Sequence, residues 1–484
     1  MFSMERDQQL KSDALKEILK YKDEVESDPY RLHYHVMPPV GLLNDPNGFI
    51  QWKGTYHLFY QWMPFKTGHG PKFWGHYTSK DLVHWQEEPI ALAPSDWFDK
   101  DGCYSGSAII HQDQMYLFYT GNVKREDGTR ESYQCVAISK DGVHFEKKGP
   151  VITLPNGYTP HFRDPKVWQG KDELWYMVIG AQKENLEGDA VLYQSHDLEN
   201  WEFLGSIMDK DLSLGYMWEC PDYFELNGKG ILLFSPQGLK ASGFNYQNVY
   251  QSGYVIGDMN EQNKLQVQKG FCELDRGFEF YAPQTMLDEQ SRRILIGWMG
   301  VPDQDEDKQP TIDHKWVHSM TLPRQLTWKE DKLYQTPVKE LETLRSKMVN
   351  HSDLELDVNE QFSFELENSA SEIEAKINSE GTSLLEINIR DNVRIIFNSN
   401  QKLFTLERKS YVDGLVERRQ CILDHLSHLQ IFLDTSSIEV FVNKGEEVFT
   451  ARFFPYKGKD VRIRSIGEKK IQMEVTCWTI KRDR

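Results

Sequence analysis

The sequence predicts an all-β protein, a five-bladed β-propeller followed by a β-sandwich domain with a short N-terminal helix, on three observations. Five aromatic or aliphatic segments recur roughly sixty residues apart, a polar cluster precedes each one, and alternating segments take over once the repeats stop. The expected boundaries are 1–30 for the helical segment, 31–334 for the propeller, 335–350 for a linking helix and 351–484 for the sandwich. A chain of 484 residues is too long for one ordinary core, so more than one domain is expected.

The helix comes first. Leu10, Ala14, Leu15, Ile18, Leu19 and Tyr21 fall at the spacing of one amphipathic helix that stops before Asp28–Pro29, and packing is its expected role. The segment is charged throughout and lacks the apolar centre of a signal peptide. No apolar run is long enough to span a bilayer, so a cytoplasmic location is the expectation.

The repeats are GTYHLFYQW from Gly54, DQMYLFYTG from Asp113, DELWYMVIG from Asp172, GKGILLFSP from Gly228 and RRILIGWMG from Arg292. A second echo, SKDLVHWQ from Ser79, SKDGVHFEK from Ser139 and SHDLENWEF from Ser195, reads as a turn followed by a strand. A period of this length holds the four short strands of one propeller blade. The polar clusters, one strand and turn ahead of each repeat, are NDPNG at 44–48, YSGSA at 104–108, RDP at 163–165, ECP at 219–221 and YAPQ at 281–284. Innermost strands surround the axis of a propeller, so clusters in a common blade phase should face one another in a central funnel.

After Gly300, HKWVHSMTLPRQL at 314–326 reads as the strand that closes the ring, and QTPVKELETLRSK at 335–347 as a connecting turn and helix. From about 352, SFELE, SLLEINIR, VRIIFN, LFTLERK, LQIFLD, SIEVFVN and EVFTARFF alternate with the period of half-buried strands. They contain no comparable polar cluster, so an ancillary role is expected for the sandwich.

Composition narrows the chemistry. With 74 acidic against 56 basic residues the net charge is −18, which disfavours nucleic acid as a partner. The six cysteines are scattered without metal-ligand spacing or a disulfide framework, and no metal or organic cofactor is implied. Asp45, Asp164 and Glu219 are the only acids inside the first four clusters, and each lies just before a proline or a proline-containing turn that fixes the local backbone. Taken singly the motifs read as turns or ion pairs. Three acids in equivalent blade positions are costly as a purely structural set, because buried like charges oppose one another. A glycosidic bond, by contrast, is broken by a pair of carboxyl groups on either side of the anomeric carbon.

These residues resemble glycoside hydrolase family thirty-two, the invertase and fructanase family. The resemblance is carried by LNDPNG at 43–48, QW at 61–62, FWGHYTSKDLVHW at 73–85, YSGSA at 104–108, FRDPKVW at 162–168, WECPD at 218–222 and YAPQ at 281–284, and it spans nearly the whole chain. It implies a retaining β-fructofuranosidase acting on sucrose 6-phosphate and on sucrose, with Asp45 as nucleophile, Glu219 as acid/base and Asp164 holding the fructose hydroxyls. Leu42, Leu43, Asn44, Gln61, Trp74, Tyr104, Ser105, Arg163 and Trp298 correspond to substrate-contacting positions. Glu279 stands where relatives often carry aspartate and is expected on the aglycone side. Candidates for a phosphate contact are Lys66, His69, Lys72 and His76 in one loop and Lys124, Arg125 and Arg130 in another. A fructan (inulin or levan) hydrolase and a non-catalytic carbohydrate-binding propeller stand as alternatives. The expected partner is a small sugar, with no nucleic acid or membrane, in a monomer or homodimer.

Overall fold

The computed structural model describes residues 2–378, 384–456, 458–466 and 470–481. Ser383, which opens one of the alternating segments, lies outside them. The polar clusters sit on the first strands of the antiparallel meanders of five sheets: Gly41–Trp52, Cys103–His111, Tyr158–Gln169, Met217–Leu226 and Tyr281–Leu287. These strands touch in that order, and the fifth returns to the first, which makes the sheets five blades around one axis.

The repeated segments are the second strands of the blades. Trp175–Lys183 is buried at every position but its last, and Thr55–Met63 at every position but its first. Each blade packs both its faces against neighbours, so these strands read as unbroken apolar runs rather than alternating ones. The second echo marks turns pinned by an aspartate. Asp81, Asp141 and Asp197 each accept hydrogen bonds from the backbone N–H groups two and three residues on, at 2.8 to 3.0 Å.

The expected closing strand divides in two. Trp316–Val317 pairs in parallel with Gly41–Leu42 at the start of blade one, whereas Arg324–Lys329 and Lys332–Pro337 complete blade five. The connecting helix expected over 335–350 is a six-residue 3-10 helix, Lys339–Leu344. Its buried Leu341 and Leu344 lie three apart, the spacing that eclipses side chains in a 3-10 turn. Arg345–Leu356 cannot continue it, because it is drawn into pairing with Ile471–Ile480.

The C-terminal part is two six-stranded antiparallel sheets. Ile373, Ile431, Val440 and Val475 of one sheet and Ile387, Ile395, Leu406 and Ile463 of the other enter one apolar core, the arrangement of a β-sandwich. The N-terminal helix, Phe2–Glu26, lays Ala14 and Val25 into the propeller core with Leu10, Ile18 and Tyr21 beside them, and leaves Leu15 and Leu19 exposed. No helix among the described residues is long and apolar enough to cross a membrane.

Propeller and sandwich meet through buried charge. Arg324 of blade five, wholly inaccessible, donates to Asp275 at 3.0 Å, to Glu439 at 2.6 Å and to Thr450 at 2.7 Å. His35 bridges Asp434 at 2.8 Å and Glu439 at 3.2 Å. Each buried charge has a partner and further hydrogen bonds, as desolvated ions require.

Candidate active site

Every inner strand carries a bulge at its polar cluster. Pairing with the second strand slips between Leu43 and Pro46, Tyr104 and Gly106, Arg163 and Lys166, Glu219 and Asp222, and Tyr281 and Gln284. A bulge re-aims side chains and leaves residues without ladder bonds, which is why proline is tolerated there. Three bulged residues, Asp164, Cys220 and Ala282, have positive φ. The clusters converge: Pro46, Ser105, Asp164, Cys220 and Ala282, one from each blade, line a single small axial cavity.

Asp45 is surrounded by donors. Ser105 Oγ donates to its Oδ2 at 2.5 Å, Cys220 Sγ lies 3.6 Å from the same oxygen, and Asn44 Nδ2 donates to Oδ1 at 3.0 Å. Lys72 Nζ in turn donates to Asn44 Oδ1 at 2.7 Å, so the amide is oriented with its N–H toward the carboxylate. Burial raises the Asp45 pKa and the charge on Glu219 adds to this, while Ser105, Asn44 and the Lys72 ammonium oppose it.

Glu219 is held differently. Arg163 donates to its Oε1 from Nε at 3.1 Å and from a terminal nitrogen at 2.6 Å. Its Oε2 accepts from the Tyr281 hydroxyl at 2.6 Å and from Gln237 Nε2 at 2.8 Å. Asp164 accepts the backbone N–H of Cys220 at 3.0 Å, and its own N–H donates to Thr120 Oγ1 at 3.0 Å. Burial raises the Asp164 pKa to about 7, with the charges on Glu219 and Asp45 adding to it against Arg163. The three acids therefore share one electrostatic site.

The structure sorts the remaining sequence candidates. Asn44, Ser105, Arg163 and Lys72 contact the acids or one another as described. Gln61 donates to Cys103 O at 2.9 Å, bracing blade one against blade two. Trp298 is edge-on to Tyr281 with ring centroids 6.2 Å apart, and its buried Nε1–H has no partner among the described residues. Trp74 is wholly buried and donates to Tyr104 O at 3.1 Å, a support beneath Tyr104. Leu42 packs with Met63 and Val317, and Leu43 lies in the propeller core, so both serve packing.

Three expectations are corrected. Glu279 does not face a sugar: it is buried at the seam, where Arg408 donates to both its oxygens at 2.7 Å and the Arg452 N–H at 2.8 Å. Those partners lie more than a hundred residues away in sequence, beyond the reach of motif reading. His76 is buried inside blade one, stacked 4.1 Å from Phe59 and 3.1 Å from His57 Nδ1, because strand alternation turns it from the axis. His69 is paired with Glu306 at 3.0 Å and Arg125 with Glu131, so neither side chain is uncommitted. Conversely, Tyr281 and Gln237 were not singled out as site residues; Tyr281 opens the YAPQ cluster, the one signal that could have found it.

A propeller whose inner strands bring three carboxyl groups to one axial site is the architecture of a glycosidase. Residues 35–337 match the model of the glycosyl hydrolases family 32 N-terminal domain and residues 340–479 that of the family 32 C-terminal domain, and the chain belongs to this family. Among curated relatives it is 52% identical to the sucrose-6-phosphate hydrolase of Bacillus subtilis (strain 168), over 98% of this chain and 99% of that one. It is 42% identical to the sucrose-6-phosphate hydrolase of Klebsiella pneumoniae, over 92% and 93%. Among solved structures, the sucrose-6-phosphate hydrolase of Lactobacillus gasseri superposes with a TM-score of 0.88 at 31% identity, covering 97% of both chains. The GH32 β-fructofuranosidase BmSUC1 of Bombyx mori gives 0.85 at 34%, covering 98% of this chain and 99% of that one.

Proposed function

We propose that this enzyme hydrolyses sucrose 6-phosphate, and sucrose as a secondary substrate, to fructose and glucose 6-phosphate or glucose with retention at the fructosyl carbon. The observation that carries this is the unequal treatment of two carboxyl groups in one site. Asp45 is wrapped in neutral donors that stabilise a carboxylate, whereas Glu219 accepts from the Arg163 guanidinium on one oxygen and from the Tyr281 hydroxyl and the Gln237 amide on the other. In the first step an Asp45 oxygen attacks the anomeric carbon as the bond to the glucosyl oxygen breaks. Glu219 gives its proton to that oxygen, and a fructosyl ester on Asp45 remains. In the second, Glu219 takes a proton from water, the water oxygen attacks the same carbon, and Asp45 leaves as carboxylate. Asp164, anchored by the Cys220 N–H, offers its other oxygen to fructose hydroxyls as charge develops on the ring.

A phosphorylated disaccharide as substrate supports a cytoplasmic reaction, since sugars phosphorylated on uptake are found there. The relatives named as sucrose-6-phosphate hydrolases favour this substrate over a fructan. The deciding measurement is kcat/KM for sucrose 6-phosphate against sucrose, with the released fructose followed by NMR before it mutarotates. A preference for the phosphorylated sugar and a β-configured first product are expected; a ratio near one or an inverted product would reject the proposal.

A further inference from the structure

We infer that Arg130 and His161, backed by Arg163, form the seat for a phosphoryl group carried by the leaving sugar; this rests on the substrate proposed above. The leaving oxygen must meet Glu219, so the leaving sugar lies along the side of the funnel that Glu219 faces. Arg163 borders Glu219 there, and its NH1 donates to His161 Nδ1 at 3.1 Å. An arginine can only donate, so Nδ1 accepts and the ring proton is on Nε2, the nitrogen left free to donate. Burial and the charges of Arg163 and Arg130 bring the His161 pKa down to about 4, which keeps the ring neutral at pH 7.

Arg130 belongs to the facing hairpin of blade two. Ser132 Oγ donates to Pro160 O at 2.7 Å, tying that hairpin to the segment that bears His161. The Arg130 guanidinium lies 6.0 Å from the centroid of the Tyr104 ring. Among the described residues Arg130 makes no ion pair with a carboxylate, whereas its hairpin neighbour Arg125 is taken by Glu131. Lys72 spends its ammonium on Asn44, inside the site rather than at its mouth. A protein of net charge −18 thus keeps, beside its acids, a guanidinium with no carboxylate of its own and an imidazole N–H free to donate. A neutral sugar offers hydroxyl acceptors to that pair but no charge to match the guanidinium. A phosphate dianion would take charge-assisted bonds from both.

The test compares Arg130→Ala, Arg130→Lys and His161→Ala with the wild type on both sugars, and adds product inhibition by glucose 6-phosphate and by glucose. The ratio of kcat/KM for sucrose 6-phosphate over sucrose is expected to fall at least tenfold in Arg130→Ala and severalfold in His161→Ala. Arg130→Lys should recover part of it, and glucose 6-phosphate should inhibit the alanine variants correspondingly less. If the wild type prefers the phosphorylated sugar and the ratio is unmoved in both alanine variants, the seat is elsewhere and the inference falls while the proposed substrate stands. If the wild type shows no preference, the substrate reading fails first and takes this inference with it.

Discussion

Asp45 and Glu219 differ in what their oxygens touch, and their variants should fail differently. Asp45→Ala removes the proposed nucleophile, so kcat should drop by roughly four orders of magnitude or more while thermal unfolding stays close to wild type. Glu219→Gln should lose comparable activity on sucrose yet recover much of it on an aryl fructoside, whose leaving group needs no proton; equal losses on both substrates would refute the acid role. Lys72, buried and with its pKa brought down to about 7 by that burial, lowers the Asp45 pKa through its charge. In Lys72→Met the carboxyl keeps its proton to higher pH, so the acidic limb of the kcat/KM profile should move upward. A limb that does not move would exclude Lys72 from tuning Asp45. Acids such as Asp45 were legible in the sequence because their motifs share a blade phase. Glu279 was misread because its orientation is set by Arg408 and Arg452, which no local pattern reveals.

At the level of the strand, the bulge is the device that turns a ladder residue into a site residue. Its position was readable from the polar clusters, but the slip in register was not, since it depends on the partner strand. The second blade shows how tightly the device is built. A Cβ on Gly106 would lie 1.9 Å from Phe118 O and 2.7 Å from Tyr119 Cα, backbone atoms that cannot swing aside. Gly106→Ala should therefore displace Ser105 from Asp45 and destabilise the protein by about 2 kcal/mol or more. Loss of activity together with a lowered melting temperature is the expected result, and a fully active, equally stable variant would show that the bulge is free to relax. The linking segment was read as a helix for the opposite reason. Its polar, helix-favouring residues outweighed the sheet partner at Ile471–Ile480, which appears only when the chain has folded.

Over the whole molecule, the seam between propeller and sandwich should respond to pH. Burial works against a charged His35, but Asp434 and Glu439 override it and raise its pKa to about 9. A raised folded-state pKa stabilises fully below the unfolded value near 6.5 and ceases to do so as pH climbs through 9. The stability of the wild type relative to His35→Gln should therefore fall across that window, by up to about 3 kcal/mol. A difference between the two that stays constant with pH would remove His35 from the seam's pH response. The five-fold ring was legible from its repeat, whereas this seam was not, because its charges come from segments with no shared motif. The parallel pairing of Trp316–Val317 with Gly41–Leu42 has a temporal consequence. The strand that bears Asp45 leaves the ribosome early, yet its edge partner emerges only when most of the chain has been made. A nascent enzyme thus holds all three acids long before it can use them, and competence arrives abruptly, with the last blade rather than the first.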